Sequence, residues 1–249
     1  MSQQMVSIII PVHNAAKFIA DTIRSIKDQT FSGYEIILVN DASEDESAAI
    51  INDYLDDSMR LINLDEPHGA AGARNAGVDA AEGRYIAFHD ADDLWEPEKL
   101  EKQVNFMQKE HCAFSFTGYE FADEAGVSID RIVRVPKIMT YSKALKNTTI
   151  FTSTVMFDTA EIPVSLMHMP DVPSEDTACW WRILRNGYTA YGINQPLTLY
   201  RRSAGTLSSN KKTAVKRIWN LYRNVEHLGV LTSAWCFMFY AFHAVGRRL

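Results

Sequence analysis

The chain has 249 residues, 47% of them hydrophobic, enough for one sizeable core with an appendage, and the composition points to neither disorder, collagen nor a disulfide scaffold. A net charge of -6 and a pI near 5.6 argue against nucleic acid as a partner, because binding a polyphosphate calls for a basic surface. Cys112, Cys179 and Cys236 are odd in number, far apart, and show neither CxxC nor Cys/His metal spacing, so they are expected to be reduced, mostly buried thiols of a cytosolic protein. The N-terminus has no basic n-region and its apolar run stops at Pro11, which argues against a signal peptide and secretion.

The first hundred residues alternate strand-like and helix-like patterns at short intervals, the signature of a mostly parallel sheet flanked by helices. Val6 to Ile10 is a continuous β-branched run suited to a strand buried on both faces. Ile19, Ile23 and Ile26 then share one helical face. Ile36 to Val39 is a second buried strand, followed by a helix whose face carries Ala48, Ile51 and Leu55. Met59 to Leu64 and Tyr85 to Phe88 are the third and fourth strands, and Pro97 fits the first turn of a helix carrying Leu100, Val104 and Met107. Beyond residue 110 the pattern loosens into a strand-like AFSFTGYEF, a polar DEAG turn, and pieces without a clean period. The expected organisation is therefore a catalytic domain over 1–212, with a donor half to about residue 110 and an acceptor half over 111–212, then a helical C-terminal segment over 213–249.

In open parallel sheets ligands bind beyond the carboxyl ends of the strands. Polar residues follow all four buried runs: His13 and Asn14, then Asn40 and Asp41, then the GARN region, then His89 to Asp93. An Asp after a strand is often only a helix cap, but four such places on one sheet edge point to a common site. In HDADD, the carboxylates of Asp90, Asp92 and Asp93 repel one another unless something positive neutralises them, and Mg²⁺ or Mn²⁺ does so by joining one or two carboxylates to phosphate oxygens. The bland alternative is a solvated turn in which one Asp caps a helix. The stretch HGAAGARNAG, residues 68–77, has small residues that let backbone approach a ligand, with Arg74 and Asn75 as donors, yet it matches neither GxGxxG nor a P-loop.

SIIIPVHN, VNDASEDES, GARNAG, YIAFHDADDLW and SEDTACWWR together resemble, in order and spacing, the motifs of family 2 glycosyltransferases with the GT-A fold, over roughly residues 5 to 200. Within that family the chain looks most similar to bacterial transferases that build surface polysaccharide or teichuronic acid. The resemblance implies an inverting, metal-dependent enzyme that moves a sugar from a UDP-sugar to a hydroxyl of a lipid-linked or oligosaccharide acceptor. Pro11, Val12, His13, Asn14 and Asp41 would hold the uridine, with Gly72, Arg74 and Asn75 beside the donor. Asp90 would lie near the ribose and with Asp92, the principal ligand, would hold Mn²⁺ or Mg²⁺. Asp176 would be the base. His13 and Asn40 depart from the family's usual tyrosine and acidic residue, which bears on the contacts to the donor base.

SEDTACWWR adds Glu175, Trp180 and Trp181 as acceptor-site candidates, since aromatic faces pack on pyranoses; the alternative is a helix start capped by Ser174 with the tryptophans in the core. Arg201 and Arg202 either clamp the diphosphate or face water. Rival readings are a polyprenyl-phosphate glycosyltransferase, whose acceptor needs no general base, and a non-catalytic GT-A-fold binding or scaffold subunit.

In residues 213–249, the uncharged stretch Leu228 to Gly246 lies at the lower edge of a bilayer-spanning length. Lys211, Lys212, Lys216, Arg217 and Arg223 precede it, Arg247 and Arg248 follow it, and Trp235, Phe237, Phe239, Tyr240 and Phe242 suit a headgroup boundary. The segment is expected to dock on the inner face of the cytoplasmic membrane as a peripheral anchor, or else to pack as a terminal helix on the domain or on a homodimer partner.

Overall fold

A computed structural model describes residues 6–202 and 211–246. The opening β-branched run becomes strand β1, Val6–Val12, with Val6, Ile8, Ile9 and Ile10 fully buried. Such a strand fits the interior of a parallel sheet, where both faces are covered. Strands β2 (Tyr34–Asp41), β3 (Met59–Leu64) and β4 (Tyr85–Phe88) complete that sheet: β2 and β4 flank β1 in parallel, and β3 lies beyond β2.

Helices α1 (Ile19–Lys27), α2 (Ser47–Tyr54) and α3 (Gly69–Ala80) connect these strands. The predicted face of α1, Ile19, Ile23 and Ile26, is fully buried. Leu55 instead falls just outside α2 and is exposed, so only Ile51 of that predicted face is buried. The α3 helix packs directly on β1 and β2, and Gly77 permits this: a Cβ there would lie 2.4 Å from Ile9 Cγ2.

The remaining elements are β5 (Leu94–Trp95), α4 (Lys99–Glu110), β6 (Phe114–Ala122), β7 (Ser128–Val133), β8 (Ile138–Met139), α5 (Tyr141–Ala144), β9 (Met156–Asp158), α6 (Val164–Met167), α7 (Glu175–Arg185) and β10 (Ala190–Arg201). Pro97 lies before the Glu98 N-cap of α4 rather than in its first turn, while Leu100, Val104 and Met107 are buried as predicted. The strand order is β3-β2-β1-β4-β9-β6-β10-β5. Strand β9 runs antiparallel to both β4 and β6, whereas β6 and β10 are parallel. The parallel character read from the sequence is thus strongest in the first four strands, and the irregular second half extends them as a mixed sheet.

Trp180 of α7 fills the core among Phe88, Phe114 and Phe157, with ring centroids 5.9, 5.9 and 5.3 Å away. The next residue, Trp181, stacks on Tyr222 at 5.3 Å, which ties the C-terminal segment to the same core. That segment comprises α8 (Lys211–Asn220), a π-helical turn (Leu221–Val225) and α9 (Val230–Gly246). One face of α9 packs inward through Ser233, Cys236, Phe237 and Tyr240. The other presents Leu231, Trp235, Met238 and Phe242, spaced at helical intervals, to solvent. Among the described residues no helix is long and apolar enough to cross a membrane. The side chains of Lys211 and Lys212, and all of Arg247 and Arg248, lie outside the described residues. Cys112, Cys179 and Cys236 are free and buried.

Candidate active site

The chain reverses its direction of winding between β1 and β4: β2 and β3 are added on one side of β1, and β4 on the other. At such a switch point the connections leave in opposite directions and open a crevice beyond the strand ends. A cleft of about 550 Å³ lies there. It is lined by Pro11, Val12, His13 and Asn14 from the end of β1, by Asp41 from β2, by Arg74 from α3, and by Asp90 and Asp92 from the loop after β4. All of these are residues singled out from the sequence. Gly69, Ala70 and Ala73, from the small-residue stretch 68–77 read in the sequence, also line it, whereas Phe18 and Pro67 were missed because apolar side chains have no chemical signature of their own.

At the β1 end of the cleft, the His13 ring donates from Nδ1 to the Asp41 carbonyl at 2.7 Å and accepts at Nε2 from Asn14 Nδ2 at 3.2 Å. These bonds select one neutral tautomer. Asn14 has φ 51° and Ala42, directly after Asp41, has φ 49°, so the left-handed region is used at both strand exits. The buried Asp41 carboxylate accepts the His68 N–H at 2.7 Å through Oδ1 and leaves Oδ2 for the cleft. Asn40 is engaged with Asn63 and the Ser43 N–H and so holds the loop.

The three carboxylates of HDADD separate into different roles. Asp93 is fully buried, accepts from Ser153 Oγ at 2.5 Å and from the Arg201 N–H at 3.2 Å, and is held well above the usual carboxylate range by burial and by Asp92 and Asp90. It is a structural anchor. Asp92 faces the cleft, pushed up to about 6 first by burial and then by the Asp90 charge, against the pull of Arg201. Asp90 is ion-paired with Arg74 at 2.6 Å. Among the described residues no group of three or more His, Cys, Asp or Glu side chains is arranged to hold a metal. The donor set is the pair Asp90 and Asp92, which suits a hard divalent ion that also takes substrate oxygens, and the crowding of Asp92 is what a cation would relieve.

Arg74 is buried and joins two parts of the molecule. Its Nη2 meets Asp90 and its Nη1 donates to Glu175 Oε1 at 2.8 Å, at the start of α7. Burial alone would push this guanidinium down, but Asp90 and Glu175 hold it above its ordinary value. Glu175 is itself raised, first by burial and then by Asp176, with Arg74 opposing. The sequence candidate Asp176 accepts from the Thr177 N–H at 2.6 Å and from the Thr152 hydroxyl at 3.1 Å. Thr152 and Ser153, both unrecognised in the sequence, belong to one short turn that connects Asp176 with the Asp90–Asp93 loop, since Ser153 Oγ also accepts the Asp90 N–H.

Several sequence candidates lie elsewhere. Trp180 and Trp181 are core side chains, 2% and 1% exposed, and offer no face to a sugar. Asn75 uses both ends of its amide on the Met169 backbone, at 2.9 and 2.7 Å, and Gly72 sits against His68 within the helix start; neither lines the cleft. Ser174 precedes α7 with φ 64° and makes no side-chain cap, so the helix start rests on Glu175 and Asp176 near its positive end. Arg202 is exposed and lies over Phe121 at 5.2 Å. Arg201 is buried, with its guanidinium 4.9 Å from the Phe18 ring, and its Nε and Nη1 have no partner. Two unsatisfied cationic donors beside the cleft suit an anion.

Comparison with known proteins places this geometry. The family profile "Glycosyl transferase family 2" matches residues 7–159. The putative teichuronic acid biosynthesis glycosyltransferase TuaG of Bacillus subtilis is 42% identical over 248 residues, 98% of each chain. The Escherichia coli UDP-Glc:alpha-D-GlcNAc-diphosphoundecaprenol beta-1,3-glucosyltransferase WfgD is 35% identical, covering 89% of this chain and 86% of its own. Among solved structures, Staphylococcus aureus TarS 1-349 with UDP-GlcNAc superimposes with a TM-score of 0.71 at 18% identity, over 96% of this chain and 71% of that one. The mannosyltransferase PcManGT of Pyrobaculum calidifontis, in complex with GDP-Man and Mn2+, gives 0.72 at 18% identity, over 97% and 74%. These two share the GT-A-type fold.

Proposed function

The chain belongs to glycosyl transferase family 2, and from that premise we propose that it is an inverting, metal-dependent transferase that moves a hexose-type sugar from a UDP-sugar to a hydroxyl of a lipid-linked acceptor in bacterial surface-polysaccharide synthesis. The observation that supports this most is the meeting of Asp41, Asp90 and Asp92 in one cleft whose Arg74 also grips the start of α7, where Asp176 lies. The names of the relatives support the donor and acceptor classes: WfgD uses UDP-Glc and a diphosphoundecaprenol-linked sugar, and TarS is seen with UDP-GlcNAc.

On this reading residues 1–110 serve the donor, 111–212 the acceptor, and 213–249 the membrane. Pro11 to Asn14 and Asp41 hold the uridine, Asp41 accepting from the base. Asp90 and Asp92 hold Mn²⁺ or Mg²⁺, which when bound supplies charge stabilisation to the diphosphate. Arg201 adds hydrogen-bond donors to the same anion. The acceptor oxygen attacks the anomeric carbon, the bond from that carbon to the β-phosphate oxygen breaks, UDP departs with the electron pair, and the hydroxyl proton passes to the Asp176 carboxylate. One displacement inverts the centre, so a single base suffices.

The exposed stripe of α9 supports peripheral contact with the inner face of the cytoplasmic membrane, with its apolar side chains at the acyl boundary. A panel of nucleotide sugars with and without Mn²⁺, read by thermal shift and by donor hydrolysis, tests the enzyme reading. A UDP-sugar is expected to raise the melting temperature only with metal and to be hydrolysed slowly. If no nucleotide sugar binds under either condition, the proposal fails.

A further inference from the structure

A second cleft, of about 650 Å³, lies between α8 and the loop that leads into α7. We propose that it holds the diphosphate of the lipid-linked acceptor, gripped by Lys216 and Arg217. This rests on the lipid-linked reading above and adds the group recognised and the residues that recognise it.

The α8 side of the cleft is formed by Thr213, Lys216, Arg217 and Asn220. Their spacing of three, four and seven residues from Thr213 puts all four on one helical face. The two fully buried arginines are matched by carboxylates, Arg74 by Asp90 and Glu175 and Arg201 by Asp21, and the exposed Arg185 pairs with Glu226. Lys216 and Arg217 have no ion-pair or side-chain hydrogen-bond partner among the described residues. Two neighbouring cations repel one another, and a shared anion removes that repulsion. Against them the lining has one carboxylate, the exposed Asp171, which is an acceptor suited to a sugar hydroxyl. The charge of the whole chain is segregated in the same sense. Of 25 Lys and Arg, seven lie in residues 211–249, with one of the 31 Asp and Glu, although the whole chain is acidic.

Position fits this role. Pro173, on the opposite wall, is three residues before Asp176, so their Cα atoms are at most about 11 Å apart. A phosphate in the cleft is therefore within reach of the carboxylate across a short saccharide, where a diphosphate-linked sugar presents its hydroxyl. The far side of α8 presents Val215 and Trp219, 45% and 37% exposed, and Trp219 meets Phe237 at 6.1 Å on α9, the helix that carries the exposed apolar stripe. Head-binding and tail-binding surfaces are separated by roughly one helix diameter, ~10 Å. A ligand with a doubly charged head and a long apolar chain uses both; a nucleotide or free phosphate uses only the first.

The test uses the full chain with UDP and Mn²⁺ at saturation, so that the first cleft is filled. Farnesyl diphosphate and farnesol are titrated separately by calorimetry. The diphosphate is expected to bind at least about tenfold more tightly than the alcohol, the scale of one charge-assisted hydrogen bond. The Lys216→Ala/Arg217→Ala double variant should bind both equally, with unchanged melting temperature and UDP affinity. Equal binding of the two probes by the unaltered protein, or a double variant that keeps its preference for the diphosphate, overturns the proposal. So does displacement of farnesyl diphosphate by phosphatidylglycerol vesicles at equal phosphate concentration, which would assign the cations to bulk headgroups. A wild-type chain that binds farnesyl diphosphate but not UDP refutes the donor reading instead, and leaves this cleft standing.

Discussion

Replacing Asp92 by Asn gives two opposite effects from one substitution. Burial and the Asp90 charge push the Asp92 carboxyl from its ordinary 3.8 up to about 6. The sign follows from linkage: between these values the folded chain binds more protons than the unfolded one, so stability falls as pH rises from about 4 through about 6. Above that window the penalty is fully present. At about 1.36 kcal/mol per pH unit, a shift of this size corresponds to roughly 1 to 3 kcal/mol. In chelator at pH 7.5, Asp92→Asn should therefore melt higher than the unaltered chain, by about 2 to 12 °C for a protein of this length. Near pH 4 the difference should nearly vanish. With UDP and Mn²⁺ the order should reverse, because ligand binding stabilises the unaltered chain and the amide holds a cation poorly. Differential scanning fluorimetry across pH, with and without ligand, reads all three conditions. An Asn variant that is no more stable in chelator refutes the crowding argument. UDP binding that survives both the substitution and the chelator refutes the metal assignment.

Other substitutions test the remaining parts. Asp176→Asn should lower turnover by about 10²- to 10⁴-fold with donor affinity nearly unchanged; a variant that keeps more than half its turnover would point to an acceptor that needs no base, such as a polyprenyl phosphate. Arg74→Ala removes the buried partner of Asp90 and Glu175, and denaturant titration should show a loss of about 3 to 5 kcal/mol, whereas an unchanged midpoint would mean that the bridge contributes nothing. Changing Leu231, Trp235, Met238 and Phe242 together to Ser should abolish flotation with anionic liposomes while the fold persists, since these side chains are exposed; high salt should release the unaltered chain only in part. Absence of liposome binding by the unaltered chain at low salt would leave α9 as a packed terminal helix alone.

Much of the architecture was legible because its causes are local. The β-branched runs of β1 to β4 and the 3.6-residue spacing of α1 and α4 are properties of short windows, and the polar residues at the strand exits follow from them. The GT-A-type resemblance rests on these strand exits and on SEDTACWWR at the start of α7. Boundaries were less legible: β1 continues through Pro11 to Val12 on its pairing with β2 alone, because the β4 ladder stops at Ile9 and leaves one side where a missing donor is tolerated. Whereas the strand-like AFSFTGYEF of β6 and the DEAG turn after it were read, the short strands were illegible for a different reason. Strands β9, β5 and β8 have three, two and two residues, too short for any periodicity, and only their partners make them strands.

The residues misread in the site were mostly those whose partners lie far away in sequence. Trp181, five positions after Asp176, points about 140° away from it around α7, whereas Trp180, four positions on, shares its face but lies one turn further in, enclosed by Phe88, Phe114 and Phe157. Asn75 has the right chemistry for a donor ligand and is taken up entirely by Met169, 94 residues on. That clamp and the Arg74 bridge come from consecutive residues of α3 and hold the two ends of the segment that leads into α7, Met169 and Glu175. The candidate donor cleft and the candidate base Asp176 are therefore positioned by one helix, which Gly77 lets pack closely on Ile9. On the proposed mechanism, a displacement of α3 would carry the donor cleft and Asp176 together, and so would keep the acceptor hydroxyl, the base and the anomeric carbon in line.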